Sequence, residues 1–286
     1  MTNEMTMNLV LQGVGDCAAR LQRIAALTAP QRVVPISDSA LRCEGISYSP
    51  ALRQTIEVAA EAAQLDATYM MGLQRLADYR LVAMDMDSTL ITIECIDEIA
   101  DMQGLKPQVA EITEAAMRGE LDFAESLKRR VALLEGLDAA ALERVYEERL
   151  RLSPGAERML QAVQAAGLKT LLVSGGFTYF TDRLKQRLKL DYTRANELEI
   201  VDGKLTGKVL GAIVDAEGKR QAVEHVCASL GVLPEQAIVM GDGANDLRMM
   251  SIAGMSVAFR AKPVVREQAS VALNHVGLDG ILNLFA

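Results

Sequence analysis

Leu81-Val82-Ala83-Met84-Asp85-Met86-Asp87-Ser88-Thr89 is the stretch whose reading decides the fold of this chain. Four consecutive apolar residues ending on an acid predict a strand buried on both faces of a parallel sheet, because a half-exposed strand would alternate. The same signature returns at Lys169–Val173 before Ser174-Gly175-Gly176, at Ala237–Met240 before Gly241-Asp242-Gly243, and at Met255–Phe259. Helical stretches lie between them, such as Ser153–Ala166, opened by Ser-Pro and closed by Gly167. Strands alternating with helices predict an open α/β sheet of Rossmann-like type, whose ligands bind beyond the carboxyl ends of the strands. The polar clusters just quoted all fall at such ends.

Two segments interrupt the alternation. Glu94 to Arg151 is almost wholly helical in character and reads as a small cap inserted after the first strand. Within it Asp122-x-x-Glu125 has the form of a capping box, with Phe123, Leu127, Val131 and Leu134 on one stripe. Later, Leu198 to Gly207 alternates around Asp202-Gly203, a hairpin signal. Upstream, the first 79 residues carry no Lys. They predict a strand at Asn8–Gln12, a helix at Asp16–Leu27, strands near Arg32–Ile36 and Ala40–Ile46, and a helix from Pro50 to Leu65. That order suggests a small α+β unit of ferredoxin-like type.

Composition narrows the function. With 286 residues the chain is large enough to fold without staples. Its four cysteines, Cys17, Cys43, Cys95 and Cys227, form no Cys-x-x-Cys pair, so they read as buried, reduced thiols and not as a disulfide framework or zinc site. Thirty basic against 38 acidic residues give a net charge of −8, and there is no Trp. A polyanion binder would show a basic face and aromatic platforms, so nucleic acid is not expected as a partner. The longest uncharged stretch, Thr170–Thr181, is too short to span a bilayer, and Met1–Val10 lacks a basic region, so a cytoplasmic protein without membrane contact is expected. The two histidines, His225 and His275, lie near no nucleophile-elbow motif. The working acids and bases are then carboxylates.

Four clusters offer chemistry. In Asp85-Met86-Asp87, two carboxylates at a strand end can face one point, one attacking while the other moves protons. A turn that satisfies its own backbone with Asp and Ser would look the same. Ser174-Gly175-Gly176 offers a hydroxyl and unhindered N–H groups at a helix start, suited to a phosphate oxygen, though an ordinary strand-to-helix turn reads alike. Lys219, beside Arg220, opens a helix that ends at Gly231. A cation there opposes the helix dipole by about a few tenths of a kcal/mol, so it is either solvated or offset by an anion. In Gly241-Asp242-Gly243-Ala244-Asn245-Asp246, two acids four apart can hold a hard cation, and few carboxylates beside a phosphate favour Mg²⁺ over Ca²⁺ or Zn²⁺.

In this order, each at the end of a buried strand, the four clusters resemble the haloacid dehalogenase (HAD) superfamily of aspartyl-nucleophile phosphotransferases. Asp85–Leu90 followed by Glu94 and Ile96–Ala100, and Met117–Arg130, are similar to the phosphoserine phosphatase family within it. The resemblance runs from Tyr79 to Ala286. It implies a HAD core over 79–286 with a helical cap inserted at about 94–152, preceded over 1–78 by a unit similar to an ACT-like extension. It implies Mg²⁺-dependent hydrolysis of O-phospho-L-serine, the final step of serine biosynthesis, with Asp85 as nucleophile and Asp87 as acid and base. Mg²⁺ would sit on Asp85, the main-chain carbonyl of Asp87, and Asp242, with Asp246 supporting its water shell. Ser174, Gly175 and Lys219 would hold the phosphate oxygens and Asn245 would orient them. Arg130 would take the substrate α-carboxylate and Glu94 its α-ammonium, under Met117 and Phe123. Phe123 and Arg130, seven residues apart, do share one helix side by spacing, as a core Phe with a solvated Arg above it also would. Alternatives are a phosphotransferase to homoserine and an amino-acid-sensing regulator with a vestigial phosphatase. The partner expected is the small-molecule substrate, with a homodimer left open.

Overall fold

The structure, a computed structural model, describes residues 6–286, the side chain of Met117 excepted. The first elements are β1 (Thr6–Gly13), α1 (Ala18–Ala26), β2 (Arg32–Ser37), β3 (Ala40–Ser47), α2 (Pro50–Ala62) and β4 (Leu65–Met70). They form an antiparallel sheet in the order β2-β3-β1-β4, with Leu9 and Leu11 of β1 packed against Leu21 and Ile24 of α1 and Ile56 of α2. Ser49 caps α2 by accepting from the Leu52 N–H, and Pro50 occupies its first turn.

The structure corrects the expected Pro50–Leu65 helix. The helix ends at Ala62, Gln64 takes a positive φ of 54°, and Leu65 begins a strand absent from the sequence reading. That strand is hidden because its buried face is polar. Asp66 and Thr68 are 2 % exposed. The Asp66 carboxylate accepts the main-chain N–H groups of Asn274, His275 and Val276 at 2.8 to 3.1 Å. Hydrophobic periodicity cannot reveal a strand that buries hydrogen-bonded acid.

The second sheet has the order β11-β10-β9-β5-β6-β7-β8. Its strands are β5 (Leu81–Met84), β6 (Lys169–Phe177), β7 (Tyr192–Val201), β8 (Lys204–Leu210), β9 (Ala237–Gly241), β10 (Met255–Phe259) and β11 (Val271–Leu273). All pairs are parallel except β7 with β8. Central β5 is wholly buried, its alternate residues feeding opposite layers. Leu81 and Ala83 join Val223 and Val226 of α9 (Ala216–Leu230), while Val82 and Met84 join Met159 and Val163 of α7 (Ala156–Ala165). The hairpin at Asp202-Gly203 forms as read, with φ positive at both residues (49° and 75°).

The expected helical insertion comprises α3 (Cys95–Asp101), α4 (Lys106–Met117), α5 (Phe123–Ala132) and α6 (Ala140–Arg144). Its two connections pair with each other, Thr92 N–H to Arg151 O at 2.9 Å and Ser153 N–H to Leu90 O at 2.9 Å. The cap also leans on the hairpin, through Gly136 N–H to Leu205 O and Leu205 N–H to Leu137 O, both 2.8 Å. At its N-cap, Asp122 accepts from the Glu125 N–H at 2.7 Å, but the Glu125 carboxylate takes Arg129 at 2.7 Å instead of completing the box. Among the described residues no helix is long and apolar enough to cross a membrane. The four cysteines are buried and unpaired.

Candidate active site

The chain leaves β5 toward β6 on one side and, later, toward β9 on the other. A crevice opens at that switch point beyond the carboxyl ends of all three strands, and the cap covers it. The result is a cavity of about 490 Å³ lined by Asp85, Asp87, Glu94, Phe123, Arg130 and Asp242, among others. Residues more than 150 positions apart in sequence meet there.

After Asp85 the backbone makes a wide turn over Met86–Leu90, with Ser88 at φ 56°. This bend keeps both acids of the pair on the cavity. Asp85 is 5 % exposed. Its Oδ1 accepts the Met86 N–H at 2.8 Å and meets the Lys219 ammonium at 2.7 Å. Asp87 Oδ1 accepts the Cys95 N–H at 3.2 Å. Burial, then the neighbouring Glu94 charge, push the Asp87 carboxyl up to about 7. A carboxyl in that range holds a proton it can give away near neutrality. Its approach needs Gly176, where a β-carbon would come 2.8 Å from Asp87 Oδ2.

Lys219 is buried, not solvated. Its ammonium bridges Asp85 and Asp246, each at 2.7 Å, so two carboxylates offset its place in the first turn of α9. Burial alone would favour neutral lysine, yet the two anions raise its pKa. Asp246 is saturated within the protein, since its other oxygen accepts the N–H groups of Asp242 (3.1 Å) and Gly243 (3.0 Å). Asp85, Asp242 and Asp246 present oxygens within 4.8 Å of one another. Burial and then the charge of Asp246 lift Asp242 to about 6, and the same two causes lead for Asp85, which lies well above the usual carboxylate range. Such crowding of buried like charges is what a divalent cation relieves, and the oxygen donors suit a hard one.

At the cap end, Glu94 Oε1 accepts from Ser88 Oγ at 2.6 Å. Arg130 lines the cavity with only a long contact to Ser126 O at 3.4 Å. Among the described residues no carboxylate lies within 4.0 Å of its guanidinium, and burial lowers its pKa. Leu127, Val131 and Leu134 are the core stripe read from the sequence, while Phe123 turns into the cavity. Asn245 and Gly175 also line the cavity. Met117 ends α4, and its side chain lies outside the described residues.

Ser174-Gly175-Gly176 departs from the reading. It is not a helix start but the last part of β6, which runs to Phe177 before α8 (Thr178–Leu188). A register shift against β7 lies between Val173 and Phe177. Asn196 of β7 holds this stretch, donating to Gly175 O at 2.8 Å while accepting the Val214 N–H at 2.8 Å. Ser174 is fully buried, and its Oγ accepts the Gly176 N–H at 2.8 Å.

Three residues escaped the sequence reading. Thr89, fully buried, donates to Asp242 Oδ1 at 2.9 Å, and Ser88 holds Glu94. Both stood in the decisive stretch, so their polar types at a strand end were a usable signal. Lys262, whose side chain lines the cavity, follows β10 with no pattern to mark it.

This constellation, paired acids on one strand end, an acidic loop on the neighbouring end and a buried lysine in the first turn of α9, is that of a HAD-type fold. The haloacid dehalogenase-like hydrolase family matches residues 79–254, and the chain belongs to it. Within that family it falls with the phosphoserine phosphatases, and it is an enzyme of that group. A phosphoserine phosphatase of Polaromonas sp. is 60% identical over 215 residues, 73% of this chain and 91% of the relative. A HAD family hydrolase structure from Salmonella enterica serovar Typhi aligns over 98% of this chain and 99% of its own, with a TM-score of 0.87 and 34% identity. A probable phosphoserine phosphatase from Vibrio cholerae, in unliganded form, aligns over 98% and 86% with a TM-score of 0.83 and 37% identity.

Proposed function

We propose that the enzyme hydrolyses O-phospho-L-serine to L-serine and phosphate through an aspartyl phosphate on Asp85, with Mg²⁺ bound. The observation that carries this reading is the shared cavity of Asp85, Asp87, Glu94 and Arg130. It sets a buried nucleophile and a proton carrier at one end and both signs of charge at the other. A zwitterionic amino acid with a phosphate needs that distribution.

Asp85 attacks phosphorus; its oxygen gains the P–O bond as the bond to the seryl oxygen breaks. Asp87 delivers its proton to that leaving oxygen. In the second step Asp87 takes a proton from water, whose oxygen attacks the acyl phosphate, freeing phosphate and restoring Asp85. Lys219 keeps Asp85 oriented and, with Ser174, Gly175 and Asn245, balances charge on the phosphate oxygens. Asp85, the carbonyl of Asp87, and Asp242 would hold Mg²⁺, with Asp246 behind them. The metal supplies neutralising charge that lets an anionic nucleophile near an anionic phosphate. Arg130 takes the α-carboxylate, Glu94 the α-ammonium, and Met117 and Phe123 exclude water. The same reading takes residues 1–78 as an ACT-like unit, 79–286 as the catalytic core and about 94–152 as its cap, in a cytoplasmic enzyme of serine biosynthesis.

Phosphate release from O-phospho-L-serine, with and without Mg²⁺, tests the reaction, with acid-quenched mass spectrometry locating phosphate on Asp85. An adduct on another residue would overturn the mechanism. Comparing O-phospho-L-serine with p-nitrophenyl phosphate tests the substrate. Arg130→Ala removes one partner of a desolvated charged pair, a loss of about 2–5 kcal/mol, and should lower efficiency on the amino acid far more. Glu94→Gln should act in the same direction. An unchanged ratio for both variants would mean that these residues do not read the amino acid.

A further inference from the structure

The cavity poses a charge problem for its substrate. Five carboxylates line it, those of Asp85, Asp87, Glu94, Asp97 and Asp242, in a chain of net charge −8. Even with a proton on Asp87 and a divalent cation on Asp85 and Asp242, Glu94 and Asp97 remain on the wall and repel an approaching anion before any short-range contact forms. Lys219 meets the phosphate only once it is seated and cannot draw it in from outside, because its side chain is 1 % exposed and engaged by two carboxylates. Among the described residues the cations lining the cavity are Arg130, on the cap, and Lys262, on the core.

Lys262 is fixed by its main chain and free at its tip. Its N–H donates to the carbonyl of Asp242 at 3.1 Å, tying it to the acidic loop. Its own carbonyl accepts the N–H groups of Val265 and Arg266 at 2.9 and 3.1 Å, and Pro263 follows as the first residue of the helix Pro263–Gln268. The residue is exposed, and among the described residues no carboxylate lies within 4.0 Å of its ammonium. Lys169, by contrast, is engaged by Asp191 at 2.7 Å. An anchored backbone, a rotatable point charge and a place on the cavity wall are what recruitment of an anion requires.

We propose that Lys262 is a specificity residue that draws the substrate phosphate into the acidic cavity from the side of the Asp242 loop. The inference rests on the phosphomonoester reading above and adds to it the group that recruits the phosphate. Its charge already reaches Glu94: burial raises that carboxyl, and Arg130 and Lys262 are among the charges that pull it back down.

The test uses the whole protein with Mg²⁺. Lys262→Gln keeps the side-chain reach and the main-chain N–H, and Lys262→Arg keeps the charge. For Lys262→Gln, kcat/KM on O-phospho-L-serine should fall about ten-fold at low salt, the lower end of electrostatic focusing, with the loss in KM. Added salt should then weaken wild type more than Lys262→Gln, because a screened charge is gone. Competitive inhibition by inorganic phosphate should weaken in parallel, and Lys262→Arg should restore all three. An unchanged kcat/KM and salt response in Lys262→Gln would overturn the proposal, as would a loss confined to kcat. Wild type inactive on O-phospho-L-serine would instead sink the substrate reading. Phosphate inhibition of p-nitrophenyl phosphate turnover would then still decide whether Lys262 binds the anion.

Discussion

Phe123 of the cap lies so close to Gly175 of the core that a β-carbon at position 175 would stand 2.8 Å from the ring Cζ. The contact joins α5 to the end of β6 at the cavity, and only the absence of a side chain at 175 leaves room for the ring. Gly175→Ala should push the ring away and lower kcat/KM at least ten-fold, since small misplacements at a reacting centre are costly. In a Phe123→Ala background the same glycine change should cost little further. Kinetics on the four proteins of this cycle give the coupling, and strict additivity would show that the contact does not govern closure.

Thr89 should act on metal affinity. Its hydroxyl fixes Asp242 Oδ1 at 2.9 Å, which leaves the second carboxylate oxygen for the cavity. Thr89→Val is expected to weaken Mg²⁺ binding by about ten-fold or more, the usual effect of losing a group that orients a ligand. Thr89→Ser should retain it. Titration calorimetry reads this without turnover; equal affinities for wild type and Thr89→Val would refute it.

Asp191 gives the stability a definite pH dependence. Burial tends to raise its carboxyl, but Lys169 at 2.7 Å and the N–H and hydroxyl of Thr170 outweigh it and hold the carboxyl below its ordinary value. A depressed folded value stabilises above the unfolded pKa, near 3.9, and that contribution fades as pH falls through the folded value. Asp191→Asn should therefore cost about 1 kcal/mol or less at pH 7, because solvent screens the Lys169 pair. The gap between the melting curves of the two proteins should begin to narrow once the pH falls below about 3.9 and keep narrowing as it passes through the folded value. A gap that does not narrow with falling pH would show that charge is not its source.

Asp66 should matter for stability and not for chemistry. It is the buried acceptor of three main-chain N–H groups where β4 meets the segment after β11. Asp66→Ala leaves these donors without an acceptor, a penalty of about 1–3 kcal/mol for each group left wholly unpaired, and should lower Tm by several degrees. Turnover by the folded variant should match wild type. A folded Asp66→Ala protein with impaired turnover would mean that the N-terminal unit helps to complete the site.

Much of the active site was legible because it lies on the chain's most regular pattern. Asp85 directly follows a run of four apolar residues, and Asp242 and Asp246 lie in the loop that follows another, the pattern that a strand buried on both faces requires. The hairpin was legible for a similar local reason, since Asp202-Gly203 accepts the two positive φ values that the turn imposes. What escaped is non-local. The polar buried face of β4 makes sense only beside the N–H groups of residues 274–276, and the continuation of β6 through Gly176 depends on Asn196 from the next strand.

Sequence by itself thus determined the α/β alternation, the inserted helical cap and the set of acids at the strand ends, because backbone burial and side-chain type dictate these locally. Tertiary structure alone decided how those groups are used. It turned Lys219 from a residue as easily solvated into a buried bridge between Asp85 and Asp246. It saturated Asp246 within the protein and, among the described residues, left Arg130 with no carboxylate within 4.0 Å. It set Lys262 on the wall from a position that no pattern marks. The reason is physical: charge, desolvation and hydrogen-bond geometry depend on distances between segments that only the folded sheet and cap bring together.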